Sequence, residues 1–253
     1  MRRQVVLISL LAFLIGLTIL ITWIGKPWMG IYNPFSYSDI LTHTKDHLQM
    51  VFIAVLIAIA VGVPLGVLVT RSGFTKLAPI VVGGANVGQS IPSLAVIAIM
   101  APLLGFGLKK VLFLYLPLSA IVALFIYGLL PILRNSYASM RHIDPAIIEA
   151  ARGMGMTRWQ IARKIELPLA RPVIMAGIRI STVITVGTAE LAVLVGGKGL
   201  GTITLTGVFA REVLLILQGA APTAVLAISL GFMLERIESW MTPRGLKIKA
   251  ESS

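Results

Sequence analysis

One carboxylate, Glu190, lies inside a long apolar run. Carboxylates so placed usually face a cavity or a partner, and one here could attract a passing cation. A second reading stands beside that one: a glutamate near the outer end of the run, wetted by water. Asn86, Gln89 and Ser90 precede Pro92 in another apolar run. A proline-broken helix with amide and hydroxyl groups suits a pore lining, and hydrogen bonding between neighbouring helices suits it equally well. Arg179 stands eleven residues before Glu190, about 16 Å along a helix. The two cannot pair within one helix, so Arg179 either snorkels or pairs with a neighbouring span. His43 and His47 have helical i, i+4 spacing but no acidic companions for a metal site, and they read as a polar face outside the membrane. No Ser/His/Asp set is apparent, and no GxxxxGK[ST] phosphate loop occurs, since Gly196-Gly197-Lys198 lacks its spacing. The chain holds no cysteine, which excludes disulfides and thiolate metal sites. Neither a catalytic set nor a metal site is expected.

The elements that must position these groups are dictated by composition. Hydrophobic residues make up 57% of the 253 and charged residues 13%, and mean hydropathy is +0.93. Soluble domains carry about 25% charged residues, so this chain has too little polar surface for water. It reads as an all-α membrane protein with about six transmembrane helices, each needing about 20 apolar residues. The six apolar runs are approximately 5–23, 50–70, 79–104, 111–133, 173–195 and 213–234. The first follows Arg2-Arg3, is longer than the ~7–15 residues of a signal-peptide core and has no small-x-small cleavage site. It reads as a retained span, with Trp23 and Trp28 at the interface. Gly62 and Gly66 in the second run have the small-xxx-small spacing of close helix packing.

Net charge is +12. The positive residues sit in short segments between apolar runs, not on a soluble basic face, so no nucleic acid is expected as a partner. With the N-terminus inside, fifteen of the 22 basic residues fall on the inner side, six on the outer side, and Arg179 within span five. That bias places both termini in the cytoplasm.

The longest inner segment runs from Arg134 to Arg171. Asp144 is a good N-cap and Pro145 fits the first helical position. Gly153 and Gly155 can end that helix. Thr157 followed by Gln160 is a capping box that starts another, and Pro168 is expected to limit it. The outcome is two short helices joined by a tight glycine turn.

Within it, Glu149-Ala150-Ala151, three residues, Gly155, nine residues, Ile165, one residue, then Leu167-Pro168 resembles the EAA signature of bacterial ABC importer permeases. Residues 87–94, 129–137, 149–156, 166–170, 172–179 and 199–201 are similar to the branch that imports glycine betaine, carnitine and choline. Glu190 and Lys198 depart from that branch's usual pattern. The resemblance implies a type I ABC importer (MetI-like) permease fold with a cytoplasmic coupling helix. It implies that Glu149, Ala150, Ala151, Gly155, Ile165, Leu167 and Pro168 form the loop that docks on a cytoplasmic ATPase, small alanines permitting close approach. It further implies a periplasmic or lipid-anchored substrate-binding protein, a second permease copy or a homologous permease, and no cofactor of the chain's own, ATP being bound by the ATPase. The implied location is the bacterial cytoplasmic (inner) membrane.

The chain divides accordingly into an N-terminal transmembrane helix (1–25), an outer loop (26–47), a type-1 permease domain (48–238, coupling loop 134–171) and a cytoplasmic tail (239–253). Asn86, Gln89, Ser90 and Glu190 are the translocation-path candidates. The competing reading is an ATP-independent channel or ion-coupled secondary transporter that uses Glu190.

Overall fold

Caps, prolines and glycines set the helix boundaries in the computed structural model, which describes residues 2–24, 35–71, 73–106, 109–111 and 114–241. The helices are α1 (Arg2–Ile24), α2 (Tyr37–Leu68), α3 (Ala78–Ser90), α4 (Ser93–Leu104), α5 (Leu118–Arg141), α6 (Pro145–Gly153), α7 (Arg158–Ile161), α8 (Leu167–Ala189), α9 (Gly201–Ala210) and α10 (Val213–Met241). A π-helical turn, Ala162–Glu166, joins α7 to α8, and a 3₁₀ segment, Glu190–Val195, follows α8. A two-stranded antiparallel hairpin pairs β1 (Lys109–Val111) with β2 (Leu114–Leu116).

Among the described residues, four helical runs are long and apolar enough to cross a membrane, and the bent pair α3–α4 makes a fifth if it is one span. The 23 residues of α1 reach about 34 Å, enough for a ~30 Å hydrocarbon core. The nearly all-helical architecture and the approximate span number thus agree with the sequence.

Four boundaries differ from expectation. Residues 37–47, read as outer loop, are the first turns of α2. Ser36 caps that helix, its hydroxyl accepting from Asp39 N–H at 3.4 Å while Ser36 N–H donates to the Asp39 carboxylate at 2.8 Å. At 32 residues, about 48 Å, α2 is longer than the bilayer is thick, so its polar first turns stand clear of it. The fourth span begins at Leu118, after Pro117, because residues 109–111 and 114–116 pair as the two strands of the hairpin. The outer segment before α10 contains the helix α9. α10 itself continues to Met241, beyond the expected end near 234. Trp28, Lys26 and the tail 242–253 with Arg244, Lys247 and Lys249 fall outside the described residues.

The core centres on α5, which packs against α2 on one side and α8 on the other. Ala54, Ala123, Leu124, Val186 and Ala189 are buried together, and Ala58, Ile132, Ile174 and Ile178 form a second cluster. Gly66 explains the closeness of α2 and α5: a Cβ there would sit 2.6 Å from the Ser136 Cβ and 2.8 Å from the Leu133 carbonyl oxygen. Backbones that approach this closely gain packing, which drives helix association in lipid. α1 runs antiparallel to α10, since Gln218 near the start of α10 donates to Thr22 near the end of α1 at 3.2 Å. Ser36→Ala removes a complete capping box and is expected to cost about 1 kcal/mol. A lower melting temperature of the detergent-solubilised protein would show it.

Candidate coupling site and helix break

Asp144 starts α6 by accepting the Ala146 N–H at 2.9 Å, with Pro145 supplying the pre-set first turn. The helix ends in a Schellman motif. Gly155 N–H donates to the Arg152 carbonyl at 2.9 Å and Met156 N–H to the Ala151 carbonyl at 3.1 Å. Gly155 has φ +78°, a conformation that only glycine adopts without strain. Thr157 and Gln160 then form the capping box, with Thr157 N–H donating to Gln160 Oε1 at 2.8 Å.

Pro168 does not end the second helix. α7 widens into the π-turn and runs on into α8, and the whole stretch Arg158–Val195 is one 38-residue run. Proline lacks the N–H that would donate to Lys164, and the π-turn absorbs the mismatch, with Leu167 N–H reaching back five residues to the Ala162 carbonyl. Within this inner segment only α6 is therefore a separate short helix. Its successor is the foot of a span.

The signature residues separate into two groups. Glu149, Ala150 and Gly155 are exposed, and a Cβ on Gly155 would meet open space. Ala151 is fully buried, while Ile165, Leu167 and Pro168 are half-buried at the base of α8. Large apolar side chains stand in solvent around the first group: Met154 and Trp159 are each 73% exposed and Ile147 is 41%. Exposed apolar side chains on a polar loop are a feature of surfaces that meet another protein or a membrane.

Sequence reasoning passed over Glu166, the unassigned position between Ile165 and Leu167. Its carboxylate pairs with the Arg71 guanidinium at 2.6 Å, tying the end of α2 to the π-turn. A cavity of about 1040 Å³ opens beside this pair, lined by Arg71, Arg152, Arg158, Arg163 and Glu166. An acidic residue among so many arginines on one face was the available signal. Arg179 pairs with a neighbouring span, as one of its two readings had it: Glu235 and Glu238 of α10 lie 3.7 and 3.2 Å away.

The path candidates do not form one cluster. Asn86 and Ser90 are exposed at the end of α3, with Ser90 Oγ donating to the Asn86 carbonyl at 3.3 Å. Gln89 shares that last turn. There α3 and α4 bend by 102° across Ile91-Pro92. Glu190 lies elsewhere, at the foot of the 3₁₀ segment after α8. It is half-buried and accepts from Thr204 Oγ1 of α9 at 3.4 Å, so its partner is a packed helix. His47 corrects an expectation too. It is fully buried, and its Nε2–H donates to the Val186 carbonyl at 3.0 Å, linking α2 to α8.

Residues 62–245 match the model of the binding-protein-dependent transport system inner membrane component. This chain belongs to that family. The permease is 42% identical over 215 residues to the glycine betaine/carnitine/choline transport system permease protein OpuCB of Bacillus subtilis, covering 85% of this chain and 94% of that one. The osmoprotectant import permease protein OsmW of Salmonella typhimurium is 39% identical over 207 residues, covering 81% and 92%. Among solved structures, a chain of the MetNI methionine ABC transporter in an inward-facing conformation superposes with a TM-score of 0.69 at 27% identity, covering 81% of this permease and 96% of that chain. The permease is thus a multi-pass inner-membrane component of an ABC importer that works with an ATPase and a substrate-binding protein. Its relatives are transport permeases and not enzymes, and nothing in them supports the channel or ion-coupled reading of Glu190.

Proposed function

We propose that this permease imports a small osmoprotectant of the glycine betaine, carnitine or choline class, driven by ATP hydrolysis in an ATPase docked on α6. The observation that carries the docking is the exposure of Glu149 and Ala150 on α6, a helix capped at both ends, together with Met154 and Gly155 of the turn after it and Trp159 of α7. A rigid, small-residue surface fits a groove in a partner, and its attachment to α8 passes movement to the spans as rigid-body motion. The substrate class is supported by the names of the relatives OpuCB and OsmW. ATP is held by the partner, and a second copy or a homologous permease completes the pore, so that two coupling loops face two ATPases. The signature end is cytoplasmic, as the positive residues favour. The antiparallel packing of α1 on α10 is consistent with both termini lying on one side, since it brings the start of α1 and the end of α10 to one end of the bundle. Asn86, Gln89 and Ser90 line the path at the α3–α4 break, where irregular backbone needs a polar, water-accessible setting.

Proteoliposomes containing the permease, its ATPase and its binding protein test this. Labelled glycine betaine, carnitine or choline accumulates only with ATP on the ATPase side. Accumulation without ATP, or of none of the three, overturns the proposal.

A further inference from the structure

The bend between α3 and α4 leaves a carbonyl without its helical partner. In an unbroken helix the Ile91 carbonyl would accept from Ala95 N–H. Here Ile91 is extended, with φ −77° and ψ 129°, and Ala95 N–H donates to the Pro92 carbonyl at 2.9 Å. Val96 N–H reaches the same carbonyl at 3.3 Å. The Ile91 carbonyl is satisfied instead by the hydroxyl of Tyr127, from the middle of α5. A backbone group at membrane depth needs a partner from the protein or from water in a cavity, and here α5 supplies one at the bend. The same face of α5 carries Leu130 and Leu133, which bury Ala85 of α3, and Leu130 lies against Gly88. Tyr127 therefore stands at the end of a continuous α3–α5 seam, at the point where α3 gives way to the turn.

α5 also leads to the docking helix. Fourteen residues separate Tyr127 from Arg141 at the end of α5, about 21 Å of helix. Asp144, the cap of α6, follows three residues later. Between them α5 is gripped by α2 and α8 through Ala58, Ile132, Ile174 and Ile178, so displacement at α6 carries the helix along.

We propose that Tyr127 is a positioning residue of the transport cycle: its hydroxyl latches the α3–α4 break to α5, and movement of the docking helix reaches the polar turn through that bond. The proposal rests on the reading that Asn86, Gln89 and Ser90 line the path. The substrate need not touch Tyr127. When α5 shifts, the latch drags the Ile91 turn with it and changes the exposure of Ser90. Without the hydroxyl, α5 moves and the turn stays behind.

The chain has no cysteine of its own, so Ser90→Cys places one thiol at the turn. The full transporter in proteoliposomes is treated with a membrane-impermeant maleimide, with and without vanadate-trapped nucleotide, and labelling of this chain is read on a gel. With Tyr127 present, the labelling rate changes on trapping by about five-fold, the size of one net hydrogen bond in an equilibrium. With Tyr127→Phe, which keeps the ring and loses the hydroxyl, the change disappears and fewer substrate molecules enter per ATP hydrolysed. Tyr127→Met serves as a second hydroxyl-free variant and behaves like the phenylalanine. An undiminished nucleotide response in both variants, with unaltered transport per ATP, overturns the latch and leaves the path reading standing. A Ser90 thiol indifferent to nucleotide even with Tyr127 intact overturns the path reading itself.

Discussion

Gly155→Val cuts ATP-driven uptake about ten-fold while the protein remains in the membrane at near-normal abundance. The reason is backbone, not bulk. Gly155 sits at φ +78° with nothing near a Cβ, so the variant clashes with no neighbour in its own chain. The left-handed conformation instead costs a β-branched residue about 1–2 kcal/mol. That energy falls on the turn that closes α6, and relief unwinds the Schellman bonds from Gly155 to Arg152 and from Met156 to Ala151. A penalty of about that size shifts the turn equilibrium by roughly five- to thirty-fold, so uptake drops by about an order of magnitude while the buried core is untouched. Gly155→Asn tests the mechanism, because asparagine tolerates the left-handed region better than valine does. It retains more uptake than the valine variant and preserves more copurifying ATPase. Equal losses in the two variants would assign the glycine's role to space for the docked partner and not to the turn.

Reversal of Glu166 to lysine has an effect of comparable size by a different route. Its carboxylate is the acidic member of a cluster with Arg71, Arg152, Arg158 and Arg163 around one cavity. Glu166→Lys leaves Arg71 facing a like charge and detaches the end of α2 from the π-turn. Breaking one partner of a fully buried pair costs ~3–5 kcal/mol. The Arg71 side chain is 36% exposed and that of Glu166 14%, so water screens part of this and about 2 kcal/mol is expected. Uptake falls at least ten-fold, and the melting temperature drops. The paired reversal Arg71→Glu with Glu166→Lys recovers most of both, and a double-mutant cycle measures the coupling. A double variant no better than the single one would mean that Glu166 acts through the ATPase and not through α2.

The elements most legible in the sequence were those governed by local chemistry. Asp144-Pro145, Gly155 and Thr157–Gln160 behave as their residue types require, since a cap or a left-handed turn depends on a few neighbours. Long-range packing decided the rest. Pro168 looked like a stop because proline breaks an α-helix, yet α8 is anchored by Ala170 and Ile174 against α5, and a π-turn was the smaller disturbance. α9 was hidden by Thr202, Thr204 and Thr206 alternating with apolar residues, a pattern of period two that suggests a strand. It is helical because Gly201, Ile203 and Gly207 bury against the 3₁₀ segment and α10, and the Thr206 hydroxyl bonds back to the Thr202 carbonyl. The polar start of α2 concealed a helix whose capping box, Ser36 to Asp39, was present in the sequence all along. Asn86 and Ser90 do flank a helix break, but nothing local revealed that Tyr127, 36 residues on, closes it.

The unbroken stretch from Arg158 to Val195 has a geometric consequence. Its 38 residues measure about 57 Å, nearly twice the ~30 Å of hydrocarbon it crosses. Under the proposed docking, a rigid tilt about its foot would make it a lever arm. A tilt of about 10° at the foot sweeps the tip by about 10 Å over that length, wider than a methylated ammonium group. Leverage of this kind lets a modest stroke on one side of the bilayer open or shut a gateway on the other.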